Sequence, residues 1–127
     1  EVLIMDMEAG LEHLGRGTAR RMDAMLAVIE PGMKSVDTVR RIMKLARDIE
    51  VRDVLAVGNK VRGEEEEVFI EGWMKELGTP VAAVIPYDEA VAKADLLGKA
   101  PMDHDPDSPA VKAVLGLMGF LKRRYGF

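Results

Sequence analysis

Val54-Leu55-Ala56-Val57-Gly58-Asn59-Lys60 is the stretch on which the fold turns. Its first four residues are apolar without alternation, and the run stops at Gly and Asn. An apolar run of this length suits a strand buried on both faces, as in a parallel sheet. Three runs of the same kind flank it: Val2-Leu3-Ile4-Met5, Met25-Leu26-Ala27-Val28-Ile29 and Val81-Ala82-Ala83-Val84-Ile85. Four strands are therefore expected.

Between the runs the apolar period becomes helical. From Ser35 to Ile49, Val36, Val39, Met43 and Ala46 share one face, while Arg40, Arg41, Lys44 and Arg47 cover the other. Ser35 is the expected N-cap. From Glu64 to Leu77, Phe69, Trp73 and Leu77 recur at helical spacing beside Ile70 and Met74. The acidic start Glu64–Glu67 suits the positive end of a helix dipole and reads as a solvated first turn. Asp88–Leu97 predicts a shorter helix stopping at Gly98. Asp103-His104-Asp105-Pro106-Asp107 is expected to be a polar loop. Ser108 and Pro109 then open a last helix, with Val111, Val114, Leu115, Met118 and Leu121 on one face. The alternation gives an α/β fold, a mostly parallel sheet with flanking helices. No repeat or linker divides residues 1–127, so a single domain is expected.

Composition narrows the function. Of 127 residues, 48% are hydrophobic and 31% charged, the balance of a globular domain. A net charge of −4 argues against nucleic acid as partner, since phosphate tracking needs a basic excess. No apolar run reaches the roughly 18 residues of a membrane span and no signal peptide opens the chain, so no membrane role and a cytoplasmic location are expected. There is no cysteine, hence no disulfide or thiolate metal site in this stretch. Gln is absent and Asn59 is the single Asn, a pattern of thermophile proteins. An amide retained against that background marks Asn59 for attention. Glu1 stands at the edge of a strand-like run, which suggests the C-terminal part of a larger nucleotide-binding domain.

In parallel α/β sheets, ligands bind beyond the carboxyl ends of the strands. Those positions are Asp6, Glu30-Pro31-Gly32, Asn59-Lys60 and Pro86-Tyr87-Asp88. An apolar strand ending in Asp is what a nucleotide hydrolase uses to hold Mg²⁺ beside transferring phosphates. Gly10, four residues later, would let the following loop approach a γ-phosphate. Asn59 can offer an amide donor and acceptor to a purine edge, with the Lys60 stem over the ring. Pro86-Tyr87-Asp88 would present backbone groups to a base while Asp88 caps the next helix. Each has a plainer reading: Asp6 as a turn cap, Asn59 as a turn residue, Pro86–Asp88 as a strand-to-helix connection.

Taken together, Asp6-Met7-Glu8-Ala9-Gly10, Val57-Gly58-Asn59-Lys60 and Ile85-Pro86-Tyr87-Asp88-Glu89-Ala90-Val91 resemble the deviant-Walker ATPases. That group includes the nitrogenase iron protein and the Min- and Par-type positioning ATPases. Glu30-Pro31-Gly32 through Ser35-Val36 also fits its pattern. Asp6 through Thr18 is most similar to the block of the nickel-insertion ATPases that mature carbon monoxide dehydrogenase, and the likeness runs from about Glu1 to Pro101. It implies a P-loop NTPase-like, Rossmann-like three-layer half-domain. It further implies that Asp6 serves Mg²⁺ through water and the hydrolytic water, Gly10 the switch loop, and Asn59, Lys60, Pro86, Tyr87 and Asp88 the adenine. The intact protein would bind ATP or ADP with Mg²⁺, form a homo-oligomer and serve a metalloenzyme client.

Two departures stand out. The two-lysine phosphate loop is missing: Gly10–Gly17 has Walker-like glycine spacing but Arg16 where Lys belongs, and bulky side chains where small ones are needed. The nickel-binding Cys-x-Cys is missing too. Neither His13 beside Glu12 nor His104 between Asp103 and Asp105 has helical metal-ligand spacing. Without the phosphate-loop strand, the strands at Val2–Met5 and Met25–Ile29 would face a gap, so a rearranged sheet or an oligomer is expected. The rival readings are a phospho-receiver module, against which Asn59 stands where an Asp is required, and a nucleotide-free scaffold.

Overall fold

The computed structural model describes residues 1–6 and 22–127. Among these, three strands form one parallel sheet in the order β1-β2-β3: β1 (Ala24–Ile29), β2 (Asp53–Val61) and β3 (Val81–Pro86). The helices are α1 (Met33–Asp48), α2 (Gly63–Leu77), α3 (Glu89–Leu96), α4 (Pro101–His104) and α5 (Pro109–Tyr125).

Strand alternation sorts the core into two faces. β1 and β2 pair without interruption from Ala24↔Asp53 to Ile29↔Gly58. Ala27, Ile29, Ala56 and Val61 meet Val39 of α1 and Ile70 and Met74 of α2 in one buried cluster. The opposite face carries Leu55 and Val57, also fully buried. α5 packs on β3, and at its far end the Tyr125 hydroxyl donates to Asp53 Oδ2 at 2.7 Å. Asp53 shares the alternation of Leu55 and Val57, so α5 runs along their side of the sheet. Helices thus lie on both faces, giving three layers. Burying Leu55 alone stabilises the fold by about 1.5–3 kcal/mol.

Four expectations are corrected. Val2–Met5 is not a strand; Val2, Leu3, Ile4 and Met5 are 52%, 74%, 86% and 37% exposed. A strand's backbone needs a hydrogen-bonding neighbour. The neighbour implied by the resemblance, a phosphate-loop strand, is not within these residues. β1 accordingly pairs on one side only among the described residues. The N-cap of α1 is Gly32 instead of Ser35: its φ of 150° is one that side chains rarely adopt, and it starts the helix at Met33. Residues 101–104 form α4, because Pro101 pre-sets φ for a first turn. Finally, β2 does not stop after Val57 but continues through Asn59 and Lys60 to Val61.

Two caps agree with expectation. Ser108 Oγ accepts from Val111 N at 3.3 Å at the start of α5, and Asp88 Oδ1 accepts from Ala90 N at 2.9 Å at the start of α3.

Candidate functional site at the carboxyl edge of the sheet

The carboxyl ends of β2 and β3 are shaped by a bulge. Gly58 pairs with Val84 and Val61 with Pro86, so β2 spends three residues where β3 spends two. The extra residue is accommodated at Lys60, whose φ is 53°. The reason lies in the core. Gly58 faces α2 so closely that an added Cβ would stand 3.0 Å from Ile70 Cδ1. Regular alternation would next aim Lys60 at that same core. The bulge turns Lys60 outward, 3.8 Å from Glu30 Oε1, and gives Val61 the core position. The Lys60–Glu30 pair is largely exposed on both sides and contributes little by itself. Asn59 follows Gly58 and so lies on the α5 side of the sheet, half-buried.

Beyond the last rung the two strands stay tied. Tyr87 N donates to Val61 O at 2.9 Å. The next residues, Arg62 and Tyr87, stack, with the Arg62 guanidinium carbon 4.2 Å from the ring centroid. Arg62 is also the N-cap of α2, where its backbone N–H donates to Glu66 Oε2 at 2.8 Å. The sequence reading missed Arg62. No sequence signal marked it, because the Val61↔Pro86 register that brings Arg62 beside Tyr87 is visible in neither strand alone.

Asp88 holds the loop from below. Its Oδ1 caps α3, and its Oδ2 accepts from Ala110 N at 3.0 Å in the first turn of α5. The Ala110 N–H is the main cause of an Asp88 pKa below its ordinary value. Burial opposes the shift, while the Ala90 N–H and the Ser108 hydroxyl reinforce it. At the other end of α5, the Asp53 pKa is likewise lowered, chiefly by the Tyr125 hydroxyl. Both Asp88 oxygens are engaged with backbone, so it positions the Pro86–Asp88 loop and has little left to offer a ligand.

Asn59, Lys60, Pro86, Tyr87 and Asp88 are therefore brought together at one edge, on neighbouring strands. Asp6 is not part of that constellation: it is exposed and outside any strand. Gly10 and His13 lie outside the described residues, and His104 sits in α4. Among the described residues no group of three or more His, Asp or Glu side chains converges to hold a metal. With Asp6 so placed, these residues do not fit a Mg²⁺ site.

The edge has two sides of different character. Toward α2 lies an open cleft of about 680 Å³ whose walls include Glu64, Glu67 and Glu71. Those carboxylates would repel a polyphosphate. Asn59 lies on the opposite side of the sheet, toward α5, and Arg62 and Tyr87 stack beyond the strand ends.

No family model matches the chain. It is 43% identical over 121 residues to an uncharacterized ATP-binding protein of Methanocaldococcus jannaschii, covering 95% of this chain and 46% of that protein. It is 36% identical over 106 residues to the carbon monoxide dehydrogenase accessory protein CooC of Rhodospirillum rubrum, covering 84% of this chain and 40% of CooC. A ParA family ATPase from Chlorobium tepidum superimposes with a TM-score of 0.71 at 20% identity, over 88% of this chain and 47% of that one. The cell-division protein MinD of Pyrococcus horikoshii, solved with Mg-ADP, gives 0.68 at 18% identity, over 82% and 43%. These structures share the fold. The chain spans less than half the length of the curated relatives it matches. The chain is thus related to ATP-binding proteins that include CooC, and it shares the P-loop NTPase-like fold of MinD and ParA.

Proposed function

We propose that this chain supplies the base-recognising part of an ATP site, in a protein that hydrolyses ATP during metallocentre maturation. The observation that carries this reading is the bulged end of β2. There Asn59, following Gly58, lies on the α5 side beside the Pro86–Asp88 loop of β3, and the bulge turns its neighbour Lys60 out of the core, which supports a base at this edge. An amide side chain beside exposed strand-end backbone matches the alternating donors and acceptors of a purine edge. The acidic cleft on the α2 side directs the phosphates away from α2.

The phosphate cradle and the metal side would come from polypeptide other than these residues. Asp6 and Gly10 would join them once the stretch before Asp6 gains a neighbouring strand, and these 127 residues alone would hydrolyse no ATP. Kinship to CooC supports coupling of hydrolysis to metal delivery, with a metalloenzyme as client and a homo-oligomer as the working form.

The test is titration of the full-length protein with a fluorescent ATP analogue and Mg²⁺. Asn59→Ala is expected to weaken binding about tenfold or more, the loss of roughly 1.4 kcal/mol of paired hydrogen bonding. Unchanged affinity in Asn59→Ala would overturn the reading.

A further inference from the structure

Arg62 and Tyr87 are both surface residues, yet they are held with unusual economy. Arg62 is fixed at its backbone by Glu66 at 2.8 Å, and at its head by the Tyr87 ring at 4.2 Å. Tyr87 is fixed at its backbone by Val61 O at 2.9 Å, and its neighbour Asp88 is bound to two helix starts. Each anchor belongs to a different element, so the stack closes a ring through β2, α2, β3 and α3. The core does not need the contact, because Tyr87 remains 41% exposed and Arg62 is exposed. A desolvated packing role is excluded, and a surface stack of this kind contributes modestly to stability.

What the stack does control is the position of the Pro86–Tyr87 backbone relative to Asn59. We infer that Arg62 is a positioning residue for base selectivity, locking the Pro86–Asp88 loop through Tyr87 so that its backbone distinguishes adenine from guanine. The inference rests on the nucleotide reading given above. A strand-end carbonyl held still accepts from the exocyclic amine of adenine, whereas guanine presents a carbonyl oxygen at that place and leaves two acceptors face to face. Such rejection requires a fixed loop, since a loose one shifts to relieve the clash.

The experiment measures the dissociation constants of fluorescent ATP and GTP analogues on the full-length protein with Mg²⁺. Wild type is compared with Arg62→Ala, Arg62→Lys, Tyr87→Phe and Asn59→Ala. Arg62→Ala is expected to reduce the preference for ATP over GTP by about tenfold, mostly by admitting GTP, because a fixed polar mismatch is lost. Arg62→Lys restores part of the preference, since an ammonium still sits over a ring, and Tyr87→Phe keeps it because the ring persists. Selectivity unchanged in Arg62→Ala, with binding still lost in Asn59→Ala, overturns the positioning role while leaving the base site standing. If Asn59→Ala also binds normally, the base site itself is misplaced and the inference falls with it. Arg62 and Tyr87 are solvent-exposed, and circular dichroism of each variant checks that the sheet is intact.

Discussion

Val2-Leu3-Ile4-Met5 and Val54-Leu55-Ala56-Val57 are nearly the same run, each followed within two residues by a polar residue suited to a ligand. One is the centre of the sheet and the other is no strand at all. Leu55 is 0% exposed and Leu3 is 74% exposed. Their own β-propensities cannot account for this, because they barely differ. The difference is company. β2 has a parallel neighbour on each side and helices on both faces, whereas Val2–Met5 pairs with none of the three described strands. Strand formation here is decided by the partner, and so the carboxyl ends of β2 and β3 stand built while Asp6 lies outside any strand.

The widest separation between the two runs should appear in stability. Leu55→Ala is expected to cost about 3 kcal/mol in urea unfolding, the usual range for a fully buried leucine. Leu3→Ala should stay within about 0.5 kcal/mol, as for an exposed position. Equal costs would mean that Val2–Met5 is packed after all.

A smaller effect tests the bulge. Gly58→Ala would place a Cβ 3.0 Å from Ile70 Cδ1 and 3.4 Å from Val61 Cγ2. Overpacking of this kind is expected to cost about 1–2 kcal/mol, read by the same unfolding. A neutral substitution would show that Ile70 gives way freely and that Gly58 is not what orders the edge.

The smallest effect is electrostatic and falls on acid stability. Asp88 and Asp53 both have lowered pKa values in the fold. Their contribution is fully present above the unfolded carboxylate value of roughly 3.9, and is lost as pH falls through the lower folded values. Asp88→Asn keeps an oxygen acceptor but removes the titration. Its acid limb of melting temperature against pH should be flatter than that of wild type. An unchanged limb would place the proton uptake elsewhere.

Much of this was legible in the sequence for a physical reason. Continuous apolar runs at 25–29, 54–57 and 81–85 have one good solution, a two-face-buried parallel sheet. Ser108-Pro109 and Asp88 carry capping chemistry that acts locally, and local signals survive folding. The failures were those that depend on neighbours. Val2–Met5 looked like a strand because its own residues say so, but pairing is not encoded in the run. Ser35 has the chemistry of a cap, yet Gly32 admits a φ of 150° and starts the helix sooner. The bulge at Lys60 was illegible because it answers the closeness of Ile70 on the packed face of α2, a tertiary contact that strand alternation ignores. Arg62 was missed for the same reason: its meaning lies across the sheet at Tyr87.

The most direct measurement is amide hydrogen exchange on this chain, comparing residues 3–5 with residues 54–57. Slow exchange across 54–57 with near-unprotected exchange at Leu3, Ile4 and Met5 is the predicted result, since only paired strand amides are shielded. Comparable protection in both stretches would contradict the account, showing that Val2–Met5 has found a partner and that Asp6 already stands at the edge of the sheet.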